Sequence, residues 1–368
     1  MLNFFNKLRC FLPLVVLGFL ALAAAGCKEA RRDSGTKAVT RTVSGTELKV
    51  RDLEGYRLVC AYGDYLFLQE DRDTSRLVAY RMEGDSLVRY KGLIDRGRGP
   101  REFYYVEFAL SGDSLFVSNS DPTGMKGICG ISLADMSKID DPNTWTEYVF
   151  SEWDIMTGLA FAPLGPGRFI ITGGKSGTKE IFSLADFTKE REREALRYWP
   201  NDSTQGPLAS KQMVYMHARI RSAGDRFVYA PSYARHMFIG AVEDGAVKER
   251  VPIYTRLPEY EVKPDGNIRY AKNSEMGIIP YVTRAYVYAY VRRADRGADA
   301  SDNYKGYPLD YFDEVEVYDW EGKFIDNYRT DRPFYSYAVT TDDRYLYAMT
   351  EDLETLEPVI MRYELNKE

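Results

Sequence analysis

Gly63-Asp64-Tyr65-Leu66-Phe67-Leu68-Gln69 is a polar turn running straight into an apolar, aromatic-rich stretch, the pattern of a turn followed by a strand. The pattern returns as Gly112-Asp113-Ser114-Leu115-Phe116-Val117-Ser118 and, more loosely, as Pro166-Gly167-Arg168-Phe169-Ile170-Ile171-Thr172. Three further copies are Gly224-Asp225-Arg226-Phe227-Val228-Tyr229-Ala230, Thr283-Arg284-Ala285-Tyr286-Val287-Tyr288-Ala289 and Asp342-Asp343-Arg344-Tyr345-Leu346-Tyr347-Ala348. Successive copies begin 49, 54, 58, 59 and 59 residues apart. A unit of that length holds about four short strands, the size of a propeller blade, and one blade cannot cover its own apolar faces. The expected fold is therefore all-β, a six-bladed β-propeller of four-stranded antiparallel blades.

Other features repeat in phase. Gly84 follows Gly63 by 21 residues and Gly245 follows Gly224 by the same 21, each in an acidic turn between two strand-like runs. Glu321-Gly322 makes a third such turn, and all three read as tight hairpins. Ser132-Leu133-Ala134-Asp135-Met136-Ser137-Lys138 matches Ser183-Leu184-Ala185-Asp186-Phe187-Thr188-Lys189. Tyr286, Tyr288 and Tyr290 alternate with Ala285, Val287 and Ala289, so one strand face is bulky and the other small, as interdigitating blades require. Only one more hairpin fits after Thr350, so Glu47-Leu48-Lys49-Val50-Arg51 is expected to supply the last blade's outer strand. The ring would then close by pairing N- and C-terminal strands. No long amphipathic helix stands out; Glu190 to Tyr198 is the nearest candidate and equally fits an edge strand or a loop.

The N-terminus reads as an address. Lys7 and Arg9 precede the apolar run Phe11 to Ala25, too short to span a bilayer, and small residues stand directly before Cys27. Leu22-Ala23-Ala24-Ala25-Gly26-Cys27 resembles the bacterial lipobox, which implies cleavage before Cys27 and acylation of its thiol. Residues 1–26 are thus expected to be a lipoprotein signal peptide, 27–45 a flexible tether and 46–368 the propeller. The formal charge of −6 becomes −8 once Lys7 and Arg9 are removed, which argues against a nucleic-acid partner. Cys60 and Cys129 remain, either as a disulfide or as small buried thiols.

At the first blade junction the chain reads Gly97-Arg98-Gly99-Pro100-Arg101-Glu102-Phe103 and continues through Phe108 to Gly112. This resembles the Gly-x-Gly-Pro-x-x-Phe junction of NHL-repeat propellers. With the lipobox and the blade count, the chain is similar to TolB-like or NHL-like six-bladed propeller lipoproteins of the Bacteroidetes type. That resemblance implies a cell-envelope protein anchored by lipid to the outer membrane, on its periplasmic face or at the cell surface; it implies fold and location more than activity.

Candidate binding residues fall in two places. Arg96, Arg98 and Arg101 flank a glycine- and proline-stiffened turn, where guanidinium groups can take a carboxylate or sulfate, or simply face water. The long insertion Arg292 to Tyr311 carries Tyr304, Tyr307, Asp310 and Tyr311, and tyrosines beside carboxylates suit sugar rings; a plain surface loop is the alternative. His217 and His236 lack metal-ligand spacing and read as structural, although His217 falls where a blade start can line the channel. Gly173-Gly174-Lys175-Ser176-Gly177 reads as a hairpin connection rather than a phosphate loop. Asp313-Glu314 and Asp342-Asp343 are adjacent on strands and so point to opposite faces, not poised as a glycosidase pair.

The expectation is a monomeric, non-enzymatic envelope lipoprotein without a cofactor or metal, offering a propeller face to a glycan, a peptide or an envelope protein. The alternatives are a carbohydrate-active hydrolase or lyase with acidic residues at the channel mouth, and an envelope assembly scaffold.

Overall fold

Each quoted repeat becomes the second strand of a four-stranded antiparallel sheet, beginning at Tyr65, Ser114, Arg168, Arg226, Tyr286 and Tyr345. The computed structural model describes residues 40–50, 53, 55–70, 75–97, 102–121, 124–150, 160–189, 193–271, 277–291, 303–304, 307–308 and 311–365. Blade one comprises Gly55–Tyr62, Tyr65–Glu70, Ser75–Glu83 and Ser86–Asp95. Blade two comprises Phe108–Ser111, Ser114–Asp121, Gly124–Ser132 and Thr146–Val149. Blade three runs Phe161–Gly165, Arg168–Thr172, Phe182–Asp186 and Arg193–Leu196; blade four runs Ala218–Ala223, Arg226–Pro231, His236–Glu243 and Ala246–Thr255. Blade five is Ile278–Val282, Tyr286–Val291, Phe312–Asp319 and Phe324–Phe334. Blade six is Ser336–Val339, Tyr345–Glu351 and Pro358–Glu364, with Thr46–Glu47 as its fourth strand.

The turns have the chemistry the sequence requires. Gly63, Gly112 and Gly224 take φ of 53°, 60° and 66° between first and second strands, a region that favours residues without a Cβ. Asp244 and Gly245, both at positive φ (49° and 67°), make a primed hairpin turn between the third and outer strands of blade four. The paired Ser-Leu-Ala-Asp segments build one device twice. Asp135 Oδ1 accepts from Ser137 N (3.1 Å) and Ser137 Oγ (2.6 Å), and Asp186 Oδ1 from Thr188 N (3.1 Å) and Thr188 Oγ1 (2.5 Å). In both, the lysine three residues on closes to 3.2 Å of the carboxylate.

Apolar seams hold the blades together. Val287, Ala289 and Val291 pack against Val228, Ala230, Met237 and Ile239 of blade four. The opposite face, Tyr288 and Tyr290, joins Tyr337 and Ala338 of blade six, so the bulky and small faces serve different neighbours. Cys60 and Cys129 are unbonded and buried within the seam of blades one and two. Burial pushes both thiols up, Cys129 to about 12, with Glu147 adding to the effect at Cys129.

Closure is more elaborate than expected. Thr46 and Glu47 pair antiparallel with Arg362 and Met361, and Leu48 N donates to Ile360 O at 2.9 Å. Lys49 and Val50 then leave blade six and pair in parallel with Ser86 and Leu87 of blade one. Thr40–Val43, within the stretch expected to be tether, pairs in parallel with residues 327–330 of blade five. The fold therefore reaches back to Thr40 rather than starting at 46, because the outer strand of blade five otherwise presents an unpaired edge. Cys27 and the rest of residues 1–39 lie outside the described residues.

A helix, Leu208–Met216, precedes blade four. Its pattern escapes sequence reading because it turns polar residues inward. Gln212 is fully buried, its Nε2 donating to Lys175 O (3.0 Å) and Glu180 O (2.6 Å), and Ser210 Oγ donates to Gly266 O at 3.0 Å. The stretch Glu190 to Tyr198, open between a helix, an edge strand and a loop in sequence, contains the outer strand Arg193–Leu196. Among the described residues no helix is long and apolar enough to cross a membrane.

Candidate functional site

The first strands of blades one, two, four, five and six line the channel, and first strands of neighbouring blades bind one another. Leu58 N of blade one donates to Ser336 Oγ of blade six at 2.9 Å, and Ser222 Oγ of blade four donates to Pro163 O of blade three. Two cavities open along this channel. The wider, about 780 Å³, is lined by the ends of first strands and the turns that follow: Ser111 to Asp113, Ala223 to Arg226, Thr283 and Arg284, with Tyr62 and Thr341. The Gly-Asp turns of blades two and four thus form part of the mouth. Asp113, Asp225, Arg226 and Arg284 give it both signs of charge.

The narrower cavity, about 180 Å³, is lined by the beginnings of first strands and shares Tyr281 with the wider one. Arg57 comes from blade one, and Arg219 and Arg221 from blade four. Alternation along Ala218–Ala223 sets the two arginines on one face, while Ile220 on the other is fully buried in the seam with blade three. Glu107, just ahead of blade two's first strand, is held by Arg57 Nη2 at 3.4 Å. Its own N–H donates to Ser118 Oγ at 2.9 Å, fixing the backbone that carries it. Burial raises the Glu107 carboxyl, but Arg57, Arg219 and Arg221 outweigh it and hold the group below the usual carboxylate range. Burial first, then Arg57, lowers the Arg221 guanidinium, against the pull of Glu107.

The sequence candidates lie elsewhere. Arg96 is exposed at the end of blade one, and it lines neither cavity. Beside it Gly97 packs so closely on Glu102 that a Cβ would meet its carboxylate oxygen at 2.0 Å, so this glycine serves geometry. Phe103 is buried in the seam of blades one and two, which explains the aromatic position of the junction. Arg98, Arg101 and Asp310 lie outside the described residues. Tyr304 and Tyr307 belong to a short hairpin, Asn303–Tyr304 with Tyr307–Pro308. Tyr311 is buried behind Tyr335, ring centroids 4.9 Å apart, and Tyr335 lines the narrow cavity.

The remaining motifs are structural. Glu180 fills the cradle of the Gly-Gly-Lys-Ser-Gly stretch, its Oε2 accepting from Lys175 N at 2.9 Å, which leaves no place for a phosphate. His217 follows the helix and lines neither cavity, and His236 is buried beside Phe238. Glu314 pairs with Arg329, and Asp343 accepts from Thr283 Oγ1 and Tyr288 OH, both at 2.7 Å.

The arginines escaped sequence reading for one reason. Arg-x-Arg alternation in Ala218–Ala223 is visible, but only the closed ring reveals that this strand faces a channel.

No protein-family model matches the chain, and no curated protein matches it. Among solved structures it is similar to the β-propeller domain of Cps50 (Swd1) from Myceliophteria thermophila, at 12% identity and a TM-score of 0.42 over 88% of this chain and 100% of that one. It is similar to U3-55K at 14% identity and TM-score 0.42, over 87% of this chain and 98% of that one. The RRP9 WD40 repeats match at 13% identity and TM-score 0.43, over 88% of this chain and 97% of theirs. Similarity at that level carries no argument about this chain, whose blades are defined by their own strand pairing.

Proposed function

We propose that the chain is an envelope lipoprotein of the TolB-like or NHL-like propeller type, acylated at Cys27, that holds a ligand in its channel without transforming it. The observation that carries the binding reading is the cavity of about 780 Å³ walled by turns from blades one, two, four, five and six. It falls in the range of about 300–1,000 Å³ typical of small-molecule sites and rests on a scaffold whose walls are hydrogen-bonded strands. Mixed charge at the mouth suits a polar ligand such as a glycan or peptide.

Two measurements test this. The full chain labels with radioactive palmitate and fractionates with membranes, and Cys27→Ser abolishes both; a Ser variant that stays in the membrane fraction overturns the lipid anchor. In a thermal-shift screen against glycans and peptides, a bound ligand raises the melting temperature by linkage. Ala223→Phe, which fills the mouth, removes that shift; a shift that persists in the variant overturns the channel as the site. Because Asp113 and Asp225 also line the mouth, the ligand is recovered and its size checked; shortened product would favour the hydrolase or lyase reading.

A further inference from the structure

The wide mouth is built in two tiers. Five blades place an apolar residue at the last or last-but-one position of their first strand: Tyr62, Leu110, Ala223, Val282 and Val339. Four of these are aliphatic, and together they make a collar inside the opening. Tyr281, buried and shared with the narrow cavity, stands between the two. Beyond the collar the chain turns, and the turns carry charge: Asp113, Asp225 and Arg284 are exposed there.

Arg226, also at the mouth, is already engaged, its Nη1 3.2 Å from Glu321 and its guanidinium 5.0 Å from the centroid of the Trp320 ring. Among the described residues Asp113 and Arg284 enter no ion pair. The apolar seams order the blades one to six around the ring, so blade two, which carries Asp113, stands opposite blade five, which carries Arg284. One acid and one base therefore lie on opposite sides of an apolar collar. Small-molecule sites are apolar walls with a few charges that fix orientation. Sugar rings are best served by aromatic platforms with polar tips, whereas an aliphatic collar is best filled by an aliphatic side chain. A volume of about 780 Å³ is of drug size, more than one amino acid fills.

We propose that the wide mouth binds a short peptide by its free ends, the ammonium at Asp113 and the carboxylate at Arg284, with an aliphatic side chain inside the collar. This rests on the reading that the channel is where ligand is held, and it adds the chemical class.

The test is isothermal titration calorimetry of the full-length chain with leucyl-leucine as the probe. Its N-acetyl and C-amide forms, free leucine, seryl-serine and galactobiose are titrated in parallel. Leucyl-leucine is expected to bind most tightly, each blocked form losing about fivefold, the scale of one exposed charge pair. Arg284→Gln is expected to weaken the free dipeptide by the same factor and to leave its amide unchanged. Asp113→Asn is expected to weaken the free dipeptide and to leave the N-acetyl form unchanged. A variant that only disturbs the fold weakens every ligand alike, so the matching of variant to ligand is what is read. Val282→Thr, close in shape, is expected to weaken leucyl-leucine and not seryl-serine. Equal affinity of free and blocked forms overturns the role of the charges, and equal affinity of seryl-serine overturns that of the collar. Equal affinity of leucine overturns the peptide. If leucyl-leucine fails to bind while a glycan still gives a thermal shift that Ala223→Phe removes, this proposal falls and the channel reading stands. If no ligand gives such a shift, both fall.

Discussion

Asp343 takes φ of 60° in the turn before blade six's second strand, a backbone conformation that the corresponding turns of blades one, two and four give to glycine. An L-residue with a Cβ is strained there, and its carboxylate explains why the strain is held. It accepts hydrogen bonds from Thr283 Oγ1 and Tyr288 OH of blade five, each at 2.7 Å, so the turn of blade six is pinned to its neighbour. Asp343→Ala keeps the strain and orphans two buried donors, for an expected loss of about 2–4 kcal/mol in urea unfolding. Asp343→Gly orphans the same donors but relieves the backbone, so it should fall between parent and Ala. Equal stability of the two variants would remove backbone strain from this account. Read in sequence as half of an acid pair, the residue is a clamp, a role that depends on a partner blade no local pattern reveals.

At the scale of elements, the segment Thr40–Val50 laces three blades: five through Thr40–Val43, six through Thr46–Glu47 and one through Lys49–Val50. Side chains reinforce the lacing, with Arg41 Nε 3.0 Å from Asp326 and Arg332 Nη1 3.1 Å from Glu47. A chain starting at residue 46 keeps blade six complete but bares the outer edge of blade five. It should melt several degrees lower than one starting at residue 40 and self-associate in size-exclusion chromatography. Identical melting and a monomeric profile for both would mean that Thr40–Val43 adds nothing to the ring. The contrast between what was legible and what was not is physical. Second strands such as Tyr65–Glu70 carry their turn and their apolar run within seven residues, so they are read directly. Thr40–Val43 is polar apart from Val43 and is ordered only by a partner edge far along the chain. The helix Leu208–Met216 hides because Ser210 and Gln212 share its buried side with Val214, Tyr215 and Met216, which breaks the apolar period. Arg219 and Arg221 were in plain view, but their meaning depended on which strand lines the channel.

For the molecule as a whole, one apolar cluster runs through blades five, six and one, and further seams join every remaining neighbouring pair. No blade has a core of its own, so none can melt without uncovering its neighbours. Scanning calorimetry of the full chain should show one transition whose calorimetric and van't Hoff enthalpies agree. Two resolved transitions would mean that some seam is weak enough to part. The lacing also fixes an order of events. Asn327 Nδ2 donates to Thr40 Oγ1 across 287 residues of sequence. During synthesis the leading strand therefore exists long before the edge it will join, and must wait unpaired while four blades are made. Contacts so distant in sequence slow folding and put the slow step late. The ring becomes a ring only when blades five and six arrive, and until then the growing chain is an open stack with two bare faces, one on blade one and one on the newest blade.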